Sequence, residues 1–137
     1  MKLFYGTGNQ SKLRNMRAIL AGMPIELVTP ADLGIRLPAV EETGATPLEN
    51  AALKAEAYHA VSGLPSFSLD SGLYLEGVPA ALQPGPYVRR VNGRELSDEE
   101  FIAYYQQLAH QYGGRLKARF INGLCVVLDD RQRKEAA

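Results

Sequence analysis

Residues 46–75 run TPLENAALKAEAYHAVSGLPSFSLDSGLYL, and this stretch decides the class of fold. Thr46 followed by Glu49 is the signature of a capping box, Pro47 suits the first helical position, and Leu48, Ala51, Ala52 and Ala55 share one face. The spacing predicts a helix over 47–62. Gly63 and Pro65 stop it, and Ser66 to Leu69 reads as a short strand that delivers Asp70-Ser71-Gly72 at its end, with a further strand at Leu73 to Leu75. A helix feeding a short apolar strand is the unit of an α/β sheet.

Upstream, Leu3 to Tyr5 is a short apolar run halted by Gly6-Thr7-Gly8-Asn9, after which Leu13, Met16, Arg17 and Leu20 recur at helical spacing as far as Gly22. This predicts strand, glycine loop, helix. Ile25 to Val28 reads as another strand and Thr29 to Glu42 as loop, punctuated by Pro30, Gly34 and Pro38. Downstream, Gly77 to Gly93 shows no period and reads as an irregular connection. Ser97 with Glu100 opens a second capped helix, marked by Phe101, Tyr105, Leu108 and Tyr112 and closed at Gly113-Gly114. Leu116, Ala118 and Phe120 alternate and Leu124 to Leu128 is apolar throughout. Asn122-Gly123 between them taken alone suggests a hairpin turn. The charged end, 130–137, reads as a frayed, disordered tail.

The chain of 137 residues suits one domain, 1–137, at about 150 residues per domain. It is 46% hydrophobic and 22% charged, an ordinary globular balance. Fifteen basic and fifteen acidic side chains leave no net charge to gather nucleic acid or membrane, and the basic residues form no aromatic-interleaved stripe. The lone Cys125 forms no internal disulfide, and no signal peptide or membrane span is evident, so the expectation is a cytoplasmic protein.

Four places can carry chemistry. The Gly6 to Lys12 loop presents main-chain N–H groups at the positive end of a helix, with Lys12 beside them, a place for phosphate; the same residues also make an ordinary glycine turn. It is not a phosphate-binding Gly-Lys-Ser/Thr loop. As a dinucleotide fingerprint it is defective, with Ser11 where a third glycine belongs and Asp32 only loosely placed as a ribose acid. The pair Glu41-Glu42 offers hard oxygen ligands to a divalent cation, although acidic pairs in loops are commonly just solvated. Asn50 and Lys54, spaced i, i+4, share a helix face able to meet phosphate oxygens. Asp70 can hold a metal, orient water or cap its own turn. Tyr87, after Pro84-Gly85-Pro86, stands with Arg89 and Arg90 where a ring and a guanidinium can meet base and phosphate. His59, His110 and Cys125 lack ligand-spaced partners and read as structural.

Thr7-Gly8-Asn9 with Lys12, the run Glu41 to Thr46 with Glu49-Asn50-Ala51 and Lys54-Ala55, Asp70-Ser71-Gly72-Leu73, and Pro84-Gly85-Pro86-Tyr87 with Arg90 together resemble the Ham1 family of nucleoside triphosphate pyrophosphatases. The order and spacing match over most of residues 3 to 90, and more faintly from Ala118 to Val127, where the family has one continuous strand. The resemblance therefore favours a strand through Asn122-Gly123. It implies an α/β fold with a mixed sheet flanked by helices, the Maf/Ham1 architecture, and hydrolysis of inosine- and xanthosine-type triphosphates to monophosphate and pyrophosphate with magnesium. It further implies that Glu42 and Asp70 bind the metal, that Asp70 helps activate water, and that Lys54 is catalytic. Thr7, Gly8, Asn9, Lys12, Asn50, Ser71, Gly72, Tyr87 and Arg90 would contact the purine nucleoside triphosphate, and a homodimer is implied as well.

The chain also departs from the family pattern. Leu69 stands where the family has an acid before Asp70, Asn15 where it has a glutamate, and Val88-Arg89 where it has small residues. The family's Gly-Phe-Gly-Tyr-Asp-Pro and Ser-His-Arg-Gly segments do not occur in this sequence, so the expectation is a C-terminally shortened member. Two other readings accompany the enzyme: a catalytically impaired nucleotide-binding or dimeric interaction protein on the same scaffold, and a nicotinamide-dinucleotide domain resting on Gly6-x-Gly8 alone.

Overall fold

Apolar alternation builds the sheet, and capped helices cover it, in the computed structural model, which describes residues 1–137. The strands are β1 (Lys2–Tyr5), β2 (Glu26–Val28), β3 (Ser66–Leu75), β4 (Arg90–Val91), β5 (Arg94–Glu95), β6 (Ala118–Asp129) and β7 (Gln132–Ala136). The helices are α1 (Gln10–Ile19), α2 (Pro30–Leu33), α3 (Pro47–Ser62) and α4 (Asp98–Gln111). Five strands form one mixed sheet in the order β2-β1-β3-β6-β7, in which β1 is parallel to β2 and β3, and β3–β6 and β6–β7 are antiparallel. This is the mixed α/β architecture read from the sequence.

Side-chain alternation assigns the helices to opposite faces. Leu3 packs with Leu13, Met16 and Leu20 of α1, whereas its neighbour Phe4 meets the ring of Tyr58 on α3 edge-on at 6.2 Å. In the same way Leu124 and Val126 of β6 face the α1 cluster, and Cys125 and Val127 face Ala51, Ala52 and Ala55 of α3. The chain runs from β1 to β2 through α1 in one direction and from β2 back past β1 to β3 through α3 in the other, which puts the two crossover helices on opposite sides. α4 closes the far end of the sheet through Leu108, packed on Leu75 and Val78.

The approach of α3 to the sheet is unusually close. A Cβ on Gly123 would strike the backbone of Pro47 and Leu48, and one on Gly72 would lie 2.8 Å from Pro47 Cγ and 3.0 Å from the Gly85 carbonyl. This explains why Asn122-Gly123 is no turn. β6 runs straight through it, paired with β3 from Ser66↔Val127 to Leu75↔Ala118, as the resemblance favoured. The other Asn-Gly pair does turn the chain: Asn92 and Gly93, with φ of 51° and 76°, join β4 to β5 in a hairpin inside the stretch read as irregular.

Three further expectations are corrected. Asp70 does not end a short strand, because β6 supports β3 without interruption past Asp70-Ser71-Gly72. The loop after β2 contains the single-turn α2, capped reciprocally by Thr29 and Asp32. Hydrogen bonds from Thr29 hold the Asp32 carboxyl below the usual carboxylate range and give it a role as a helix cap. The tail is not frayed: 132–136 form β7, whose turn is tied by Asp129 Oδ1 accepting from the N–H groups of Arg131 and Gln132 at 2.8 and 2.9 Å. Its charged side chains suggested solvation, but the backbone ladder to β6 is indifferent to them, and Arg133 additionally reaches Glu56 at 2.5 Å.

His59 braces this turn, with Nδ1 2.8 Å from the Leu64 carbonyl and Nε2 3.0 Å from Asp130. Donating to both requires the imidazolium, and the Leu64 carbonyl first and Asp130 second raise its pKa above the usual 6.5. A raised value contributes stability in full below about pH 6.5 and loses it as pH rises through the folded value. Amide exchange in β7 is therefore expected to be slower at pH 5.5 than at pH 8 after correction for intrinsic rates, and His59→Ala abolishes the difference. Gly123→Ala is expected to cost about 1–3 kcal/mol by overpacking, read as a lower urea midpoint with an unchanged slope.

Candidate active site

β1 stops at Tyr5, whereas β3 pairs with it only as far as Phe67 and then continues for eight residues without a strand on that side. The crevice so formed lies beyond the carboxyl end of β1, where the strand order reverses, the usual place for a ligand in an open α/β sheet. It is a cleft of about 720 Å³ to which α1 contributes Lys12 and Asn15, α3 contributes Lys54 and Tyr58, and β3 contributes Leu69, Asp70 and Ser71.

At its floor Lys54 Nζ lies 2.7 Å from Glu42 Oε1 and 2.9 Å from Asp70 Oδ1. The Lys54 and Asp70 side chains are 16% and 15% exposed and Glu42 is 40% exposed, so the pair with Asp70 is withdrawn from solvent and the contact with Glu42 sits at the rim. Burial works against the Lys54 ammonium, yet hydrogen bonds and charge from Glu42 and Asp70 prevail and raise its pKa. Asp70 Oδ2 is buried without a hydrogen-bond partner. Burial likewise pushes the Tyr58 phenol up, and that ring fills the space a side chain at Gly6 would need, which brings the first loop down onto α3.

The loop carrying Glu42 has no regular structure but is tied at several points. Asn50, 1% exposed, accepts from the Gly44 N–H through Oδ1 at 2.7 Å, and Glu49 accepts from the Ala45 N–H at 2.6 Å. The Tyr87 hydroxyl is 2.8 Å from each of the carbonyls of Glu42 and Gly44 and donates to them.

The site residues read from the sequence are thus only partly assembled. Lys12, Lys54, Asp70 and Ser71 line the cleft together, with Glu42 bonded to Lys54 at its rim. Asn9 is the N-cap of α1, its side chain already accepting from the N–H groups of Ser11 and Lys12, so two main-chain donors expected to be free are taken. Thr7 supports this cap by accepting from the Asn9 N–H, and Gly8 has open space around its Cα. Asn50 is turned into the protein, Gly72 is packed under Pro47, and Ser71 donates to Asn122 at 2.6 Å. Arg90 is exposed at the start of β4, and its neighbour Arg89 lines the cleft instead, with its guanidinium 4.8 Å from the Phe101 ring centre and 2.6 Å from Asp98. The positions of all three departures, Leu69, Asn15 and Val88-Arg89, face the same cleft. Tyr58 and Phe101 were missed because aromatics at helical spacing read as core.

For a divalent cation, the vacant Asp70 Oδ2 and the half-exposed Glu42 are an adequate donor set of one kind. Magnesium commonly takes one or two carboxylates and completes its shell with phosphate and water. No cluster of three or more acidic, histidine or cysteine ligands exists for an all-protein cage.

The Ham1 family model matches residues 3–137. The dITP/XTP pyrophosphatase of Thermus thermophilus is 37% identical over 130 residues, covering 95% of this chain and 61% of that protein. That of Haemophilus influenzae is 38% identical over 130 residues, covering 92% and 62%. The chain therefore spans about three fifths of the length of these relatives. Among solved structures, a HAM1 protein from Coxiella burnetii superposes with a TM-score of 0.79 at 25% identity, over 98% of this chain and 68% of that one. A nucleoside-triphosphatase / dITP/XTP pyrophosphatase from Mycobacterium abscessus gives 0.79 at 27%, over 99% and 70%.

Removing Lys54 leaves Asp70 withdrawn from water with no counter-charge. Lys54→Met is expected to lose about 2 kcal/mol at neutral pH, and the double variant Lys54→Met/Asp70→Leu to recover most of it, measured by urea unfolding.

Proposed function

The chain belongs to the Ham1 family, and from that membership we propose that it hydrolyses non-standard purine nucleoside triphosphates, of the inosine or xanthosine type, to monophosphate and pyrophosphate. The observation that carries this reading is the Glu42–Lys54–Asp70 cluster, which runs from the rim of the crevice at Glu42 to Asp70 within it, so that two carboxylates and an ammonium converge with Lys12 of α1. Such a constellation meets both halves of a metal–triphosphate complex.

Magnesium bound by Glu42 and Asp70 would screen the phosphate charge. Lys54 and Lys12 would bind the phosphate oxygens and stabilise charge that develops on the leaving pyrophosphate. Water attacks the α-phosphorus in line, the bond from that phosphorus to the bridging oxygen breaks, and Asp70 accepts the proton the water gives up. Lys54, already bonded to Asp70, orients that carboxylate for the task. A homodimer in the cytoplasm belongs to the same reading and rests on the family resemblance; no helix of the chain is long and apolar enough to cross a membrane.

Leu69 and Asn15 at the cleft favour a second reading, a nucleotide-binding protein with an impaired site. Pyrophosphate release from inosine triphosphate, with and without magnesium, separates the two. Turnover is expected to require magnesium and to fall at least about a hundredfold in Asp70→Asn, with the fold intact by circular dichroism. Binding without turnover would transfer the conclusion to the second reading.

A further inference from the structure

Resting on that reading of the site, we infer that Tyr87 is a positioning residue: its hydroxyl fixes the main chain of the Glu42 loop, and thereby sets the Glu42 carboxylate against Lys54 and Asp70. The resemblance would place Tyr87 on the substrate. The geometry places its hydroxyl on the carbonyls of Glu42 and Gly44, 2.8 Å from each, and gives it no other partner.

The segment bearing Tyr87 is itself attached to the strand that carries the other carboxylate. Gly85 exchanges both main-chain hydrogen bonds with Leu73, each 2.9 Å, three residues along β3 from Asp70. The Tyr87 N–H then donates to the Pro84 carbonyl at 3.0 Å, a tight turn that fixes where the ring leaves the backbone. Pro84, Gly85, Pro86 and Tyr87 therefore form a strut with one end on β3 and the other on the Glu42 loop. Such a strut is needed because nothing else spans that distance rigidly. The loop has no strand or helix of its own, and its main-chain ties to Asn50 and Glu49 lie two and three residues beyond Glu42 and come from α3 alone. Without the tyrosine hydroxyl the carbonyl of Glu42 has no partner from the protein, and its carboxylate is held only by the rim contact with Lys54. A phenylalanine would fill the same space, so the hydroxyl serves the loop and not the packing.

The test is Tyr87→Phe, examined in two ways. In the substrate-free protein, amide exchange at Thr43, Gly44 and Ala45 is expected to quicken about tenfold while the amides of α3 and β3 keep their rates. In hydrolysis, loss of a group that orients a metal-binding carboxylate is expected to lower turnover and raise the half-saturating magnesium concentration, each about tenfold, with the KM for the metal–nucleotide complex at saturating magnesium little changed. Because the effect passes through Glu42, the double variant Tyr87→Phe/Glu42→Gln should be no worse than Glu42→Gln alone. Unchanged exchange at 43–45, or losses that multiply in the double variant, would overturn the proposal, the second by showing that Tyr87 meets the substrate independently of Glu42. If the unaltered protein releases no pyrophosphate from any triphosphate, the reading of its function falls, and the exchange measurement alone decides whether Tyr87 holds the loop.

Discussion

The structure depends on how closely α3 lies on the sheet. Its first turn rests with Pro47 and Leu48 directly on Gly123, and its next two turns present Ala51, Ala52 and Ala55 to Cys125 and Val127. Small residues on both sides let the helix axis approach, and close-packed interiors transmit such constraints instead of absorbing them. The consequence is positional. With the helix at that height, Lys54, just before Ala55, reaches Asp70 on β3 at 2.9 Å, and Asn50 reaches the Gly44 amide. A helix held further off by larger residues would leave both carboxylates beyond the reach of a single ammonium.

The crevice owes its place to chain connectivity. β1 is central and short, and the chain leaves it to one side through α1 and returns on the other through α3, so two lysines approach one gap from opposite faces. Because β1 stops at Tyr5, no strand covers the edge of β3 between Phe67 and the Gly85 contact at Leu73, and Asp70 lies on that open stretch. The Asp70 carboxylate, mostly withdrawn from water, is paired there with the Lys54 ammonium. The same ammonium draws Glu42 inward from a loop that would otherwise be solvated.

Much of this was legible beforehand where the signal is local. The bounds of α3 and the reciprocal cap of α4 follow from Thr46-Pro47 and Ser97-Glu100, since a cap is satisfied within four residues. The two Asn-Gly pairs show where locality stops. Asn92-Gly93 turns the chain and Asn122-Gly123 does not, although the dipeptide is the same. At the second, β3 supplies a ladder along the whole strand, Ser71 bonds the asparagine, and the backbone of α3 sits where a glycine side chain would begin. Asp70-Ser71-Gly72 was misread for the same reason, its turn chemistry overridden by the partner strand. The charged run 132–136 reads as solvent-loving, yet it forms β7, because a strand at a sheet edge needs only backbone groups on one side.

The sequence by itself determined the α/β class, the starts of α3 and α4 at their caps, the family resemblance, and the identity of the charged groups at the site: Lys12, Glu42, Lys54 and Asp70. These are properties of residue type and short spacing, which a chain carries before it folds. Only the tertiary structure decided what each group touches. It turned Asn50 into a buried brace and Tyr87 into a support for the acidic loop, and it put Arg89 instead of Arg90 at the cleft. The physical reason is that polar side chains bond whatever the fold brings within about 3 Å, and those partners lie as far as 77 residues away along the chain.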